Sequence, residues 1–292
     1  MDYQQILKKI TGQLAASKTP ITAWVAGPYS EDIIRAVEKV QTQGLLAKIV
    51  LVGDGVKIPR IPASFEHVNV IEPAAIAQYV AENSGGSGNL VVKGNISSSA
   101  LLKAVLKGGG GKIVASHAYI IQSPSFPDRT ILVADAGVNI QPDLKTKIEI
   151  LHNTLTVARK VGIEVPRVAI LSAVESINPS MQSTIDAASL TVMASRGHFG
   201  NALVDGPMAI DAAMMPASAV TKSLHGEVAG QANVLLLDDI EAANSTAKAL
   251  IGVVGQAMGV IVGAGKVVAF PSRGDSEETR YHSLLLAAFL SS

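Results

Sequence analysis

The chain has 292 residues, with 24 Lys and Arg against 24 Asp and Glu, and a formal net charge of zero. A hydrophobic share of 48% against 16% charged residues buries a sizeable core and excludes a disordered chain. The balanced charge supplies no basic surface for nucleic acid and no polybasic run for a membrane. The absence of cysteine removes disulfides, thiolate metal sites and a cysteine acyl-enzyme.

The N-terminal segment MDYQQILKKI is acidic and polar. It lacks the apolar stretch and cleavage site of a secretory signal, so a cytoplasmic protein is expected. The runs Ala23–Ala26, Lys48–Val52, Asn89–Val92, Arg167–Leu171, Asn233–Leu237 and Gly259–Val262 have strand length. They are apolar throughout, as strands covered on both faces are. Between them lie helical patterns. Glu31–Gln43 places Ile33, Ile34, Val37 and Val40 on one stripe, with Gly44 as its C-terminal cap. Pro142–Val161 starts on a first-turn proline and stops at Gly162. This alternation predicts an α/β architecture with largely parallel strands. Ser116–Gln122 and Arg129–Asp135 break the rhythm, joined by the turn-rich Ser-Pro-Ser-Phe-Pro-Asp, and predict an antiparallel pair opening a second domain. The preceding run Gly108–Gly111 reads as a flexible connection; a phosphate-cradling loop is the alternative, without P-loop spacing. The uncharged stretch Ala249–Gly265 carries five glycines. It reads as helix, turn and buried strand, short of the about 20 apolar residues of a membrane span.

Five stretches place polar residues at strand ends, where open α/β sheets bind ligands. In PSRGDSEETRYHSLLLAAFL, Asp275 and Glu278 form a D-x-x-E capping box that leaves Ser272, Arg273 and Gly274 in the loop feeding a helix. A helix N-terminus, a hydroxyl and a bidentate guanidinium suit an oxyanion there; a capped helix with a surface arginine is the plainer alternative. LVVKGNISSSALLKAVL ends a strand at Lys93 and directs Lys93, Asn95, Ser97 and Ser98 to that edge. Lys103 follows on the helix, where a plain surface lysine is the competing account. VADAGVNIQPDL contributes Asp135 and Asn139, LVDGPMAIDAA ends a strand with the turn Asp205-Gly206-Pro207, and LLLDDIEAANSTAKAL places Asp238, Asp239 and Glu241 one turn before Asn244. Each alone is also a turn or a cap. None of the six histidines forms an HxxxH or HExxH pair, so no zinc site is predicted. His117, at a strand start, is the one of interest, with a structural role as its alternative. There is no G-x-S-x-G elbow and no G-x-G-x-x-G after a strand.

Taken in order, KGNISSSALLKAVL, VADAGVNIQPDLKTKIEIL, VAILSAVESINP, DGPMAIDAA, DIEAANSTAKAL and PSRGDSEE resemble the blocks of the phosphate acetyl/butyryltransferase family, nearer its butyryl branch, from about Val25 to the C-terminus. The resemblance implies two α/β domains facing across a cleft, similar to the isocitrate/isopropylmalate dehydrogenase fold. It implies a first domain of residues 1–112 completed by 261–292, a second of 113–260, and a homodimer. Ser272 and Arg273 match the family's active-site Ser-Arg pair. A family arginine falls on Lys103, which keeps the charge and loses the planar fork. The aspartate proposed as base in the acetyl branch falls on Thr279.

The resemblance further implies a short-chain acyl group, butyryl or branched preferred, moving between coenzyme A and inorganic phosphate. The catalytic residues would be Ser272 and Arg273; Lys93, Asn95, Ser97, Lys103, Asn139, Asp205 and Asn244 would bind substrate. Coenzyme A enters as substrate; no metal, no cofactor, no nucleic acid and no membrane are expected. Phosphate acetyltransferase activity, a catalytically weak CoA- or acyl-phosphate-binding regulator, and a decarboxylating dehydrogenase of similar fold are the alternatives.

Overall fold

The computed structural model describes residues 1–107, 114–127, 129–254, 256–263, 265–272 and 274–292. In chain order its elements are α1 (Tyr3–Ala16), β1 (Thr22–Ala26), α2 (Glu31–Thr42), β2 (Lys48–Gly53), β3 (Glu66–Asn69), α3 (Pro73–Asn83), β4 (Asn89–Lys93) and α4 (Ser98–Lys107). There follow β5 (Ser116–Gln122), β6 (Thr130–Ala134), α5 (Leu144–Val161), β7 (Arg167–Leu171), α6 (Gln182–Ser195), β8 (Leu203–Met208), α7 (Ile210–Met214) and α8 (Pro216–Thr221). The last are β9 (Val234–Leu236), α9 (Ile240–Val254), β10 (Ala257–Val262), β11 (Val267–Ala269) and α10 (Glu277–Ser291).

These elements form two α/β units. A terminal unit comprises Gln4–Ala115 with Gln256–Ser292, and a middle unit comprises Ser116–Gly255 with Met1–Tyr3. The boundary expected after residue 112, and the run Gly108–Gly111, lie outside the described residues. The boundary expected after residue 260 would cut β10. The strand instead stays whole in the terminal unit: Val260 and Ile261 pair with Ala269 and Val268 of β11, and Gly259 N donates to Ser283 Oγ of α10 at 2.9 Å.

The terminal unit orders its strands β3-β2-β1-β4-β11-β10. β1 runs parallel to β2 and β4, with Ala26 opposite Val52 and Lys93. β11 is parallel to β4 and antiparallel to β10. Val25, Leu51 and Val92 are wholly buried, which is why these strands read as unbroken apolar runs. α2 turns Ile33, Ile34, Val37 and Val40 inward, and the chain then reverses through Gly44 at φ +74°, a left-handed conformation that glycine adopts without a Cβ penalty. α10 buries the whole run Leu284–Phe289, as a helix apolar on most of its surface must.

The middle unit orders its strands β5-β6-β9-β7-β8. β5 and β6 are antiparallel, with Tyr119 opposite Val133, and the remaining pairs are parallel. Two local expectations change. α5 begins at Leu144, and Asp143 is its N-cap, accepting from Thr146 N at 2.8 Å. The cap bond sets the start, leaving Pro142 ahead of the helix. Asp205-Gly206-Pro207 lies inside β8 and not in a turn after it. β8 ends the strand order and its register with β7 shifts between Ala169 and Leu171, a combination that tolerates a proline without an N–H. Among the described residues no helix is long and apolar enough to cross a membrane.

Candidate active site

In the terminal unit the carboxyl ends of β1, β4 and β11 converge. The turn after β4 locks against the turn after β1: Gly94 N donates to Ala26 O at 3.0 Å and Asn95 N to Gly27 O at 2.7 Å. A Cβ on Gly94 would stand 2.3 Å from Gly27 O, so only glycine permits this approach. The lock aims Lys93 and Asn95 into a pocket of about 30 Å³ shared with Ser30, Gly94, Ser272 and Arg280. That volume admits one oxygen-sized group. Lys93 is 5% exposed; its Nζ reaches Gly94 O at 3.4 Å and lies 5.5 Å from the Phe270 ring centroid. Ser30 precedes α2 without a side-chain cap bond.

Ser272 is held by Asp275: its N–H donates to Asp275 Oδ2 at 2.7 Å, and Asp275 N returns a bond to Ser272 O at 3.2 Å. Asp275 is therefore not the helix cap. Ser276 takes that role, its Oγ accepting from Thr279 N at 3.1 Å. Glu278 Oε1 accepts from Gln256 Nε2 at 3.3 Å, so the expected D-x-x-E box is replaced by an S-x-x-T cap. A hydroxyl reaches N3 without the longer acid, and this frees Asp275 to close the 272–275 turn. Thr279 is buried. Arg273 lies outside the described residues. Arg280, which sequence reasoning passed over as one residue of an apolar helix, lines the same pocket, with its NH1 3.1 Å from Asp32 Oδ2.

Ser97 and Lys103 stand apart from that pocket. Ser97 caps α4, its Oγ accepting from Ala100 N at 3.0 Å. Lys103 lines a groove of about 940 Å³ between α3 and α4, together with Gln78, Glu82, Lys107 and Lys266. The groove has an alanine floor, from Ala74, Ala81, Ala100 and Ala104.

In the middle unit the segment after β6 folds around Asp135. Its Oδ1 accepts from His117 N (2.9 Å), Gly137 N (3.1 Å) and Val138 N (3.2 Å), and its Oδ2 from Asn139 N (2.8 Å) and Asn139 Nδ2 (2.5 Å). Burial pushes the Asp135 carboxyl above its ordinary range, against the downward pull of these N–H donors. Asn244 of α9 donates to Ala136 O at 2.8 Å, so Asn139 and Asn244 meet at this segment. Asp205 does not join them. It lies on β8, beyond β9 and β7, and its Oδ1 accepts from Gly206 N at 2.8 Å. Burial raises its pKa. His117 is buried beside Tyr119, with ring centroids 4.4 Å apart, and burial lowers its pKa to about 3. It is therefore neutral at physiological pH, with a packing role.

Sequence reasoning did not single out a buried Lys147–Asp186 ion pair beside this segment, to which the 40% exposed Asp238 side chain is joined. Lys147 Nζ lies 2.6 Å from Asp186 Oδ2 and also contacts Asp238 Oδ1. The signal was present: Lys147 falls on the α5 stripe with Ile150, Leu151, Thr154 and Ala158, all buried, and a charge on a buried stripe needs a partner. Among the described residues no group of His, Asp and Glu is arranged to hold a metal.

A buried lysine, a hydroxyl and an arginine around an oxygen-sized pocket at strand carboxyl ends can stabilise a developing oxyanion. Comparison with known proteins gives the family. Residues 84–288 match the family described as phosphate acetyl/butaryl transferase. A Bacillus subtilis (strain 168) protein named probable phosphate butyryltransferase is 37% identical, over 96% of each chain. A Rhizobium meliloti phosphate acetyltransferase is 34% identical, over 94% of this chain and 90% of that protein. Among solved structures, a branched-chain phosphotransacylase from Enterococcus faecalis V583 superposes with a TM-score of 0.79 at 30% identity, covering 93% of this chain and 99% of that one. The fold is thus the two-unit α/β fold of the phosphotransacylases. The chain belongs to the phosphate acetyl/butyryltransferase family.

Proposed function

We propose that this enzyme is a phosphate acyltransferase that moves a short acyl group, butyryl or branched in preference, between coenzyme A and inorganic phosphate. The observation that carries the reading is the pocket in which Lys93, Asn95 and Ser272 meet, in a chain of this family. In the direction of acyl phosphate, a phosphate oxygen attacks the thioester carbonyl carbon. The carbonyl becomes an oxyanion, the C–S bond breaks, and CoA leaves as thiolate and takes up a proton. The pocket receives one oxygen, of phosphate or of the tetrahedral intermediate, between the Lys93 ammonium and the Ser272 hydroxyl. Arg273 adds the bidentate phosphate clamp. Asp275 holds the Ser272 backbone and so orients its hydroxyl. Attack within one ternary complex needs no acyl-enzyme, and a chain without cysteine offers no thiol for one.

The three lysines of the α3–α4 groove, Lys103, Lys107 and Lys266, suit the phosphates of the CoA nucleotide, with Ser97 at the mouth of α4. Asn139, Asp205 and Asn244 belong to the same reading as substrate-binding groups. It extends to a cytoplasmic homodimer using neither metal nor bound cofactor. A free-thiol substrate is preserved by a reducing compartment, and the exposed Ile177 and Val192 supply apolar surface for a second copy, which sedimentation equilibrium would test. The acetyltransferase relative motivates a second reading, with acetyl as the preferred group. Thiol release from acetyl-, butyryl- and isobutyryl-CoA with phosphate separates them. A maximum at acetyl selects the second, and no turnover with any of them defeats both.

A further inference from the structure

Lys147 lies in the first turn of α5 with its side chain only 4% exposed. Its Nζ donates to Asp186 Oδ2 on α6 at 2.6 Å and to Asp238 Oδ1 in the turn after β9. The second oxygen of Asp186 accepts from Gln182 Nε2 at 2.8 Å. One ammonium therefore ties together the starts of α5 and α6 and the β9–α9 turn. All three sit at the carboxyl ends of β6, β7 and β9, where α/β sheets carry their ligands.

An interior ion pair such as Lys147–Asp186, with Asp238 beside it 40% exposed, is a poor way to gain stability. Desolvating the charges offsets most of their attraction, and apolar side chains of similar volume hold such a site as well or better. The best-attested use of such a cluster is to fix register. The elements fixed here carry two candidate site residues. The segment between β6 and α5 holds Asn139 on Asp135, and α9 directs Asn244 to Ala136 O at 2.8 Å. Ile240 N, at the start of α9, donates to Ile140 O at 3.0 Å. Both lead directly into the elements that Lys147 joins.

We propose that Lys147, acting through Asp186 and Asp238, is a positioning residue for acyl transfer that sets the register of Asn139 and Asn244 toward substrate. This rests on the reading that places those two asparagines in the substrate site. It distinguishes the cluster from a plain packing element, since a packing element can be replaced by any side chains that fill the volume.

The test is the apolar double variant Lys147→Met/Asp186→Leu, with Asp238→Asn as a milder companion that removes the charge of one arm. The double variant is expected to melt at or above the wild-type temperature while losing about a hundredfold in kcat/KM, the scale of an ångström-level misplacement. Asp238→Asn is expected to lose less, at an unchanged melting temperature. Lys147→Arg, which keeps the charge and both partners, should recover most of the activity. Wild-type kcat and KM in both the double variant and Asp238→Asn would overturn the proposal, as would losses that track melting temperature and vanish on cooling. If the double variant fails to fold, Asp238→Asn decides alone. Asn139→Ala and Asn244→Ala distinguish the two layers. Full activity in these defeats the substrate-site reading and the proposal with it; lost activity there, with Lys147 variants unaffected, defeats the positioning role only.

Discussion

Replacing Asp135 by asparagine keeps the side chain's shape and converts one of its two acceptor oxygens into an NH2 group. In the orientation least damaging to the count, that NH2 faces the two donors of Asn139 that now lie 2.8 and 2.5 Å from Oδ2. In the flipped orientation it faces three, from His117, Gly137 and Val138. At least two N–H groups thus lose their acceptor beside a side chain 3% exposed. A buried donor without a partner costs about 1–3 kcal/mol. The half-buried Asn139 amide can turn toward water, so we expect a net loss of about 2–4 kcal/mol, equivalent to a melting temperature lower by roughly 5–15 °C. Differential scanning calorimetry and urea unfolding at neutral pH read this directly. Kinetics measured well below the transition should still show weakened substrate use, because Asn139 loses its anchor. A variant that melts within about 1 °C of wild type would refute the picture of a segment organised by this carboxylate.

Arg273→Lys keeps the charge and loses the fork; it should raise the barrier by about 2–4 kcal/mol with unfolding unchanged, and near-wild-type kinetics would remove Arg273 from the site. Lys103→Ala and Lys266→Ala should each raise KM for acyl-CoA with little change in KM for phosphate, an effect that shrinks as salt rises; equal effects on both substrates would detach the groove from the nucleotide. Butyryl-CoA should exceed acetyl-CoA in kcat/KM by roughly tenfold, from about 0.8 kcal/mol per buried methylene, and a maximum at acetyl would show a closed acyl pocket. His117 has its pKa lowered from 6.5 to about 3 in the folded chain. Its contribution is therefore fully present above pH 6.5 and is lost as pH falls toward 3, because only the unfolded chain takes the proton there. Removing this titration with His117→Gln should make stability less steep in pH across that window, by up to one proton, and an unchanged slope would contradict the burial of His117.

Strands covered on both faces were legible because burial imposes a continuous apolar run, and Arg167–Leu171 is a strand with those bounds; Ser116–Gln122, also a strand with its expected bounds, was legible instead from the turn-rich linker that follows it. β3 was not legible, since its residues Glu66–Asn69 are only half-buried or exposed and carry no apolar pattern. Helix starts were misplaced where two capping solutions compete. Asp275 satisfies the capping pattern as well as Ser276 does, and the choice depends on whether Asp275 is drawn to the Ser272 backbone, a contact that spacing does not encode. For the candidate site, Lys93, Asn95 and Ser272 were legible from strand ends and family blocks. Arg280 was not, because its role depends on where α10 docks. Lys147 carried a signal, as a charge on the apolar stripe of α5, whereas Asp186 becomes conspicuous only when its burial is known. Which groove Lys103 lines was not legible for a similar reason: its helix face, and not its distance along the chain from Asn95, sets it.

The insertion of β11 between β4 and β10 has a consequence for how the chain is made. When the last strand of the middle unit, β9, has been synthesised, β11 and α10 have not. Until then β4 carries an open edge, of the kind that invites pairing with other chains. The wall that supplies Ser272 and Arg280 arrives last, against Lys93 and Asn95 made much earlier. The oxygen-sized pocket therefore comes into being at the final docking step, and a released chain truncated before β11 would hold every strand of the middle unit with half of that pocket absent.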